Sequence, residues 1–280
     1  TGKEKSFKMP THCPIDNSKV VRDGVAYRCP NPEFAGRSRE NLYHFVGRGG
    51  FNIEGIGPKI IDRFLDEGLI TDAADIFLLK TEDFKDLERF GEQSAKNIVE
   101  EAQTKKVTTL PKFIYSLSIL HVGEETAVLL AKELSKSHGK ITTVSEVLHE
   151  FEKLTVENLQ KIRDIGPKVS QSIYDWFRVK QNVYLVKKMH DVGIRIEPYR
   201  STVVSAQLAG KTFVLTGTME SMDRETAKEK IRALGGDISE SVSKKTSYVV
   251  AGAEPGSKHE KAQKLRVKIL SETEFLKLLK

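Results

Sequence analysis

The chain has 280 residues, of which 39% are hydrophobic and 30% charged, with a net charge of +6, and this length accommodates about two domains with cores of useful depth. No run of roughly 18 apolar residues occurs, which argues against a membrane-spanning helix, and two cysteines are too few for a disulfide framework. We expect a soluble cytoplasmic protein, and the start at Thr1 without a Met leads us to expect a piece of something longer. The charge is uneven: residues 1–50 carry nine Lys/Arg against five Asp/Glu, residues 51–199 carry 21 against 24, and residues 200–280 carry 15 against 10. Basic ends favour a polyanionic partner; the acidic middle has to be read on other grounds.

Residues 12–34, HCPIDNSKVVRDGVAYRCPNPEF, read as a small β-ribbon: Cys13-Pro14, a polar turn, an alternating strand, then Cys29 and a Pro-rich turn. A structural zinc site takes four ligands, usually as two C-x-x-C-like pairs. With two cysteines, the stretch reads as half of one.

The middle of the chain carries an internal repeat. IEGIGPKII at 53–61, ERFGEQSAK at 88–96, LHVGEETAV at 120–128 and RDIGPKVSQ at 163–171 each place an apolar residue before Gly57, Gly91, Gly123 or Gly166. Four positions after each glycine comes a small or apolar residue: Ile61, Ala95, Ala127 or Ser170. Apolar residues then recur at helical spacing, so each unit is expected to be helix, tight hairpin, helix. A glycine there permits unusual backbone angles and close approach of a ligand. The helix that follows offers unpaired N–H groups and a positive dipole end to an anion. Lys59 and Lys168 stand where they could add phosphate contacts. Such binding by backbone amides would let a net-negative region hold DNA; the alternative is that the glycines only turn a helix pair.

After the polar segment PYRSTVVSAQ (198–207), FVLTG reads as a buried strand, MDRETAKEKIRAL as a helix stopped by Gly235-Gly236, and DIS and SYVVAG as further strands. SKHEKAQKL then reads as a helix, VKIL as a strand and EFLKLL as a last helix. Strands alternating with helices imply a small parallel sheet covered on its faces.

The four hairpins behind a cysteine-bearing ribbon, together with KMPTHCP, HVGEETA and FVLTGTMESM, resemble the C-terminal part of bacterial NAD-dependent DNA ligases, and the resemblance runs through essentially the whole chain. It implies a mainly α, multidomain protein. A degenerate zinc-ribbon-like module would occupy 1–45, a helix-hairpin-helix bundle 46–197, a linker 198–207, and a small α/β BRCT domain with a parallel sheet 208–280. It also implies a protein that clamps nicked duplex DNA without sequence preference, so that Gly55, Gly57, Lys59, Gly91, Gly123, Gly166 and Lys168 become the expected DNA-binding residues. In such hairpins a further glycine precedes the helix-start glycine by two; only Gly55 keeps it, while Arg89, His121 and Asp164 replace it, so those three hairpins are expected to bind less closely or to serve packing.

In most such ligases the ribbon holds zinc through four cysteines, and alignment puts Asp16 and Phe34 at two of the four positions, beside Cys13 and Cys29. Asp can ligate zinc and Phe cannot, so no metal is expected; Phe34, with Val20, Val21, Val25 and Tyr27, is expected to close a small apolar core instead. In the BRCT family a phosphate can sit at the end of the first strand. Thr216, Gly217, Arg224 and Lys258 match that site, with packing against a neighbour as the other reading. The family's K-x-D-G nucleophile is missing, since Arg22-Asp23-Gly24 lacks a lysine two residues before Asp23, so no catalytic residue and no bound cofactor is expected here. NAD, Mg²⁺, and the adenylation and OB domains would belong to the rest of the parent ligase, a cytoplasmic, nucleoid-associated bacterial enzyme. A stand-alone DNA-binding adaptor, reading a phosphate or phosphoprotein through its BRCT domain, is the alternative.

Overall fold

A computed structural model of the protein describes residues 7–14, 17–29, 35–85, 87, 90–199 and 205–279. They fall into two compact units, Thr1–Pro198 and Tyr199–Lys280.

The first unit opens with an antiparallel ribbon, β1 (Val21–Asp23) and β2 (Ala26–Arg28), with Asp23 opposite Ala26. Gly24 supplies the positive φ of 62° that so short a turn needs. Of the four side chains expected to pack around Phe34, Val25 is 95% exposed, Val21 46% and Tyr27 44%, and Val20 is half-buried. Among the described residues no second layer pairs with the two three-residue strands, and Val25 sits in the turn itself. Cys13 is the ribbon's buried residue, its N–H donating to Ser18 O at 2.8 Å. Asp16 and Phe34 lie outside the described residues.

Helical structure follows: α1 (Ala35–Val46), α2 (Pro58–Asp66), 3-10 turns at Ala73–Phe77 and Thr81–Phe84, then α3 (Glu92–Thr104). A strand β3 (Val107–Thr109) leads into α4 (Leu110–Ser116), α5 (Glu124–His138), α6 (Val144–Lys153), α7 (Val156–Gln160), α8 (Pro167–Trp176), α9 (Lys180–Asp191) and β4 (Arg195–Glu197). Strands β3 and β4 pair in parallel, with Thr108 opposite Ile196, 88 positions further along the chain, a closure that no local pattern announced. Aromatic clusters fill the core: Phe45 on Phe51 at 4.3 Å, Phe64 against Phe84 at 5.3 Å, and Phe151 stacked on Phe177 at 4.2 Å. Three of the four expected units are helix, hairpin, helix; in the second the leading helix is only the 3-10 turn Thr81–Phe84.

The second unit contains β5 (Thr212–Thr216), α10 (Arg224–Ala233), β6 (Asp237–Ile238), β7 (Tyr248–Ala251), α11 (Ser257–Lys264), β8 (Lys268–Ser271) and α12 (Glu272–Leu278). Its sheet is wholly parallel, in the order β6-β5-β7-β8. Alternation along β5 sends Phe213 and Leu215 into a core with Ala227, Ile231 and Phe275, beneath α10 and α12. Val214 faces the other way, into a smaller core with Val242, Val249 and Ala262 of α11. Gly235, at φ 81°, ends α10 as its position in the sequence requires.

Candidate nucleic-acid interface

Each repeat is pinned by the same two contacts. Ile61, Ala95, Ala127 and Ser170 are buried, and their N–H groups donate to the carbonyls of Gly57, Gly91, Gly123 and Gly166 at 3.1, 3.1, 2.9 and 3.0 Å. Ile56, Val122 and Ile165, one residue before their glycines, are buried as well and plug the hairpins into the core.

The four glycines are the N-caps of α2, α3, α5 and α8, and none of these helices has a side-chain cap. Elsewhere the chain does cap: Thr143, Thr155 and Ser271 each accept the N–H three residues on. The capless glycines have φ between −77° and −95°, angles open to any residue, so the conformational part of the glycine expectation does not hold at these positions. Nor does the fold crowd them: a Cβ added at Gly57, Gly91, Gly123 or Gly166 would meet nothing within 4 Å. Nothing inside the described chain therefore requires glycine at four exposed, equivalent helix starts.

Positive φ is found two residues earlier, at Gly55 (81°), His121 (69°) and Asp164 (66°). The hairpin geometry thus survives loss of the earlier glycine, because His and Asp tolerate the left-handed region better than most residues. Arg89 lies outside the described residues. Two of the hairpins differ from the others in charge. After Gly57 and Gly166 come Pro58-Lys59 and Pro167-Lys168, both lysines exposed and no acid in the first turn. In contrast α3 and α5 begin with Glu92 and with Glu124-Glu125, which already neutralise the positive helix end.

The first hairpin is braced from both sides. The Glu54 N–H donates to Glu101 Oε1 at 3.2 Å, and Lys105 lies 3.1 Å from the same oxygen. Burial works against the Glu101 charge, but these partners outweigh it and hold its carboxyl below the usual range. Behind α2, Arg39 reaches Asp62 at 2.7 Å and Asp66 at 2.6 Å, and the Tyr43 hydroxyl donates to Asp62. At the third hairpin the His44 imidazole meets Ser118 Oγ at 3.0 Å and the Tyr115 ring at 4.3 Å, and burial keeps its pKa low. A longer tie joins the early and late hairpins: Lys188 of α9 donates to Asp72 at 2.8 Å and Asp75 at 2.7 Å. Sequence reading missed it because the partners are more than 110 positions apart.

In the second unit the strand order reverses direction between β5 and β7, and ligands of parallel sheets gather at the carboxyl ends of strands flanking such a point. Thr216 ends β5 there, buried, and alternation puts it on the α11 face, where Lys258 occupies the first turn. Gly217 has φ 75°, and a Cβ on it would lie 2.5 Å from Ala253 O; here glycine is required by the fold. Arg224 Nη2 donates to Gly217 O at 3.2 Å. Lys258 Nζ lies 3.3 Å from Glu240, a residue the sequence did not single out.

For zinc, the described ribbon offers Cys13, buried, and Cys29, half-buried; among the described residues no three His, Cys, Asp or Glu side chains gather as a metal site would require. The described donor set does not fit a structural zinc. Among the described residues no helix is long and apolar enough to cross a membrane.

Comparison with known proteins agrees with this architecture. A family model of the SAM-like helix-hairpin-helix tandem matches residues 51–104, one of the helix-hairpin-helix motif matches 112–186, and one of the BRCA1 C Terminus (BRCT) domain matches 204–279. The chain is similar to a DNA ligase of Coxiella burnetii, 40% identical over 284 residues, and to a DNA ligase of Anoxybacillus flavithermus, 40% identical over 281 residues. A DNA ligase of Solibacter usitatus is 37% identical over 278 residues. Each comparison covers 99% of this chain and 40% of the relative, so the chain spans two fifths of the length of these curated relatives.

Proposed function

We propose that this chain, in which helix-hairpin-helix regions precede a BRCT domain as part of a DNA-ligase-like sequence, is the DNA-holding C-terminal region of an NAD-dependent DNA ligase. The observation that carries the reading is the set of exposed, uncapped helix starts at which glycine stands although neither backbone angle nor surrounding space requires it. Glycine is a fair N-cap in any helix, but Ser, Thr, Asp or Asn would cap better, and leaving all four starts bare gives a ligand room; a phosphate on the amides of an uncapped helix is what that geometry suits. Such contacts read no base edges, so the partner is duplex DNA of any sequence. The hairpins starting at Gly57 and Gly166, each followed by Pro and Lys, are the stronger pair. Those at Gly91 and Gly123 carry their own glutamates.

In this reading the chemistry belongs to segments of the parent enzyme outside this sequence: lysine adenylation by NAD with Mg²⁺, AMP transfer to the 5'-phosphate of a nick, and sealing by the 3'-hydroxyl. The adenylation and OB domains are its partners in the same chain, and the working location is the bacterial cytoplasm at the nucleoid. Thr216, the Gly217 N–H, Arg224 and Lys258 serve as a site for a terminal phosphate.

Fluorescence anisotropy with a labelled nicked duplex tests the hairpin reading. Affinity should fall with salt at a slope of about −0.9 per neutralised phosphate. Gly57→Val and Gly166→Val, where a Cβ meets nothing within 4 Å, should each cost no more than the loss of a good N-cap residue, about 1 kcal/mol, yet weaken binding more than Lys59→Ala or Lys168→Ala. Silent glycine variants with dominant lysine effects would replace the amide mechanism by an ordinary basic patch. An adenylation and OB coding sequence in frame upstream of Thr1 is expected; a start codon there would favour an adaptor.

A further inference from the structure

At the carboxyl end of the second unit's sheet, a deeply buried lysine is neutralised by carboxylates that remain at the surface. Lys228, in the second turn of α10, has a side chain only 4% exposed, with Nζ 3.1 Å from Glu225 Oε1 and 3.3 Å from Glu240 Oε1. A buried ammonium persists only when paired. These two carboxylates, however, are 63% and 57% exposed. The cation is held by packing, since its neighbour Ala227 and Ile231, one turn on, lie in the core. Glu240 follows the edge strand β6 in a loop, and its other oxygen, Oε2, lies 3.3 Å from Lys258 Nζ. One carboxylate thus bridges lysines from α10 and α11, helices on opposite faces of the sheet.

We propose that Lys228 and Lys258 form a phosphate-binding site of which Glu240 is the built-in, displaceable occupant. A phosphate carries more charge than a carboxylate and can serve each ammonium with a separate oxygen. Glu240 can swing into water with little loss of packing, whereas Lys228 has nowhere to go. Phosphate affinity is then set by competition: a site covered by Glu240 nine-tenths of the time binds about tenfold more weakly than a bare one. The site rests on the reading of Lys258 as a phosphate ligand and adds to it a second cation and a gate.

The test is a titration of the full 280-residue chain with inorganic phosphate, against chloride at equal ionic strength, followed by ¹H–¹⁵N NMR. Amides of residues 238–241 and of Lys258 should move in the unmodified chain. In Glu240→Gln the same amides should saturate at about tenfold lower phosphate. Glu225→Gln leaves the Lys258–Glu240 bridge in place and should gain distinctly less. Unchanged or weaker phosphate binding in Glu240→Gln, or shifts confined to Thr216 and Gly217, would overturn the gate. Duplex ends form a separate arm: if Lys258→Ala leaves binding of a 5'-phosphorylated end intact while Glu240→Gln still tightens inorganic phosphate, the site stands and its use on DNA ends falls.

Discussion

Replacing Lys188 by Met removes the cation that ties α9 to the 3-10 turn behind the first hairpin while keeping the length of the side chain. Lys188 is 20% exposed and its partners Asp72 and Asp75 are 26% and 18% exposed, so the cluster lies between two well-characterised limits. An exposed ion pair contributes about 0–1 kcal/mol, and stripping one partner from a fully buried pair costs about 3–5 kcal/mol. The variant leaves two neighbouring carboxylates without their shared cation, and a loss of about 2 kcal/mol follows from interpolating between those limits. For a unit of this size that is a fall in melting temperature of about 4–8 °C. The acid limb supplies a second reading. Burial opposes ionisation of Asp75, but Lys188 and the Thr71 and Asp72 donors outweigh it and hold the carboxyl below its ordinary value. A carboxyl depressed in the folded state contributes stability above its unfolded pKa, near 4, and loses it as the pH falls through the folded value. Burial likewise works against the Lys188 charge, but Asp72 and Asp75 raise its pKa, so that contribution is present below the ordinary lysine range and is lost as the pH rises through the folded value. The gap between the unmodified chain and Lys188→Met should therefore be widest near neutral pH and narrow toward both extremes. Calorimetry of the two chains from pH 3 to 8 measures it on the acid side. A difference below about 0.5 kcal/mol at pH 7, the scale of an ordinary surface change, or one that does not shrink toward pH 3, would refute the reasoning.

Gly252→Ala should destabilise the second unit by more than about 2 kcal/mol, because its Cβ would fall 2.1 Å from Thr218 O; denaturant melts report it, and a neutral change would mean that the β5 and β7 loops can part. Chelator should leave the melting temperature of the purified chain unchanged, and elemental analysis should find far less than one equivalent of zinc; stoichiometric zinc lost together with folding is the contrary result. Lys258→Ala should weaken binding to a 5'-phosphorylated duplex end by about tenfold, the loss of one charge-assisted contact, with little effect on a 5'-hydroxyl end. Equal affinity of the unmodified chain for the two ends would leave the second unit without a role at DNA termini.

The local pattern in the sequence was enough to find the four helix-start glycines, the helix-hairpin-helix form of three of the four repeats, the order of strands and helices in the second unit, and its parallel sheet. These are short-range properties: apolar spacing after each glycine, and strands separated by helices. They were read without knowing what packs on what. The ribbon shows where that reading stops, since Val20, Val21, Val25 and Tyr27 were expected to pack around Phe34, yet Val25 is almost fully exposed and, among the described residues, no further strand joins the two three-residue strands. Among the candidate site residues, the sequence determined which glycines start helices. Only the tertiary structure decided that those glycines are unconstrained by the fold whereas Gly217 and Gly252 are required by it. The same holds for charge. Lys188 with Asp72 and Asp75, β3 beside β4, and Lys228 with Glu240 are contacts between distant or differently oriented elements. Their energies depend on burial and on distances of about 3 Å, quantities that a linear pattern of charges does not contain until the chain has closed on itself.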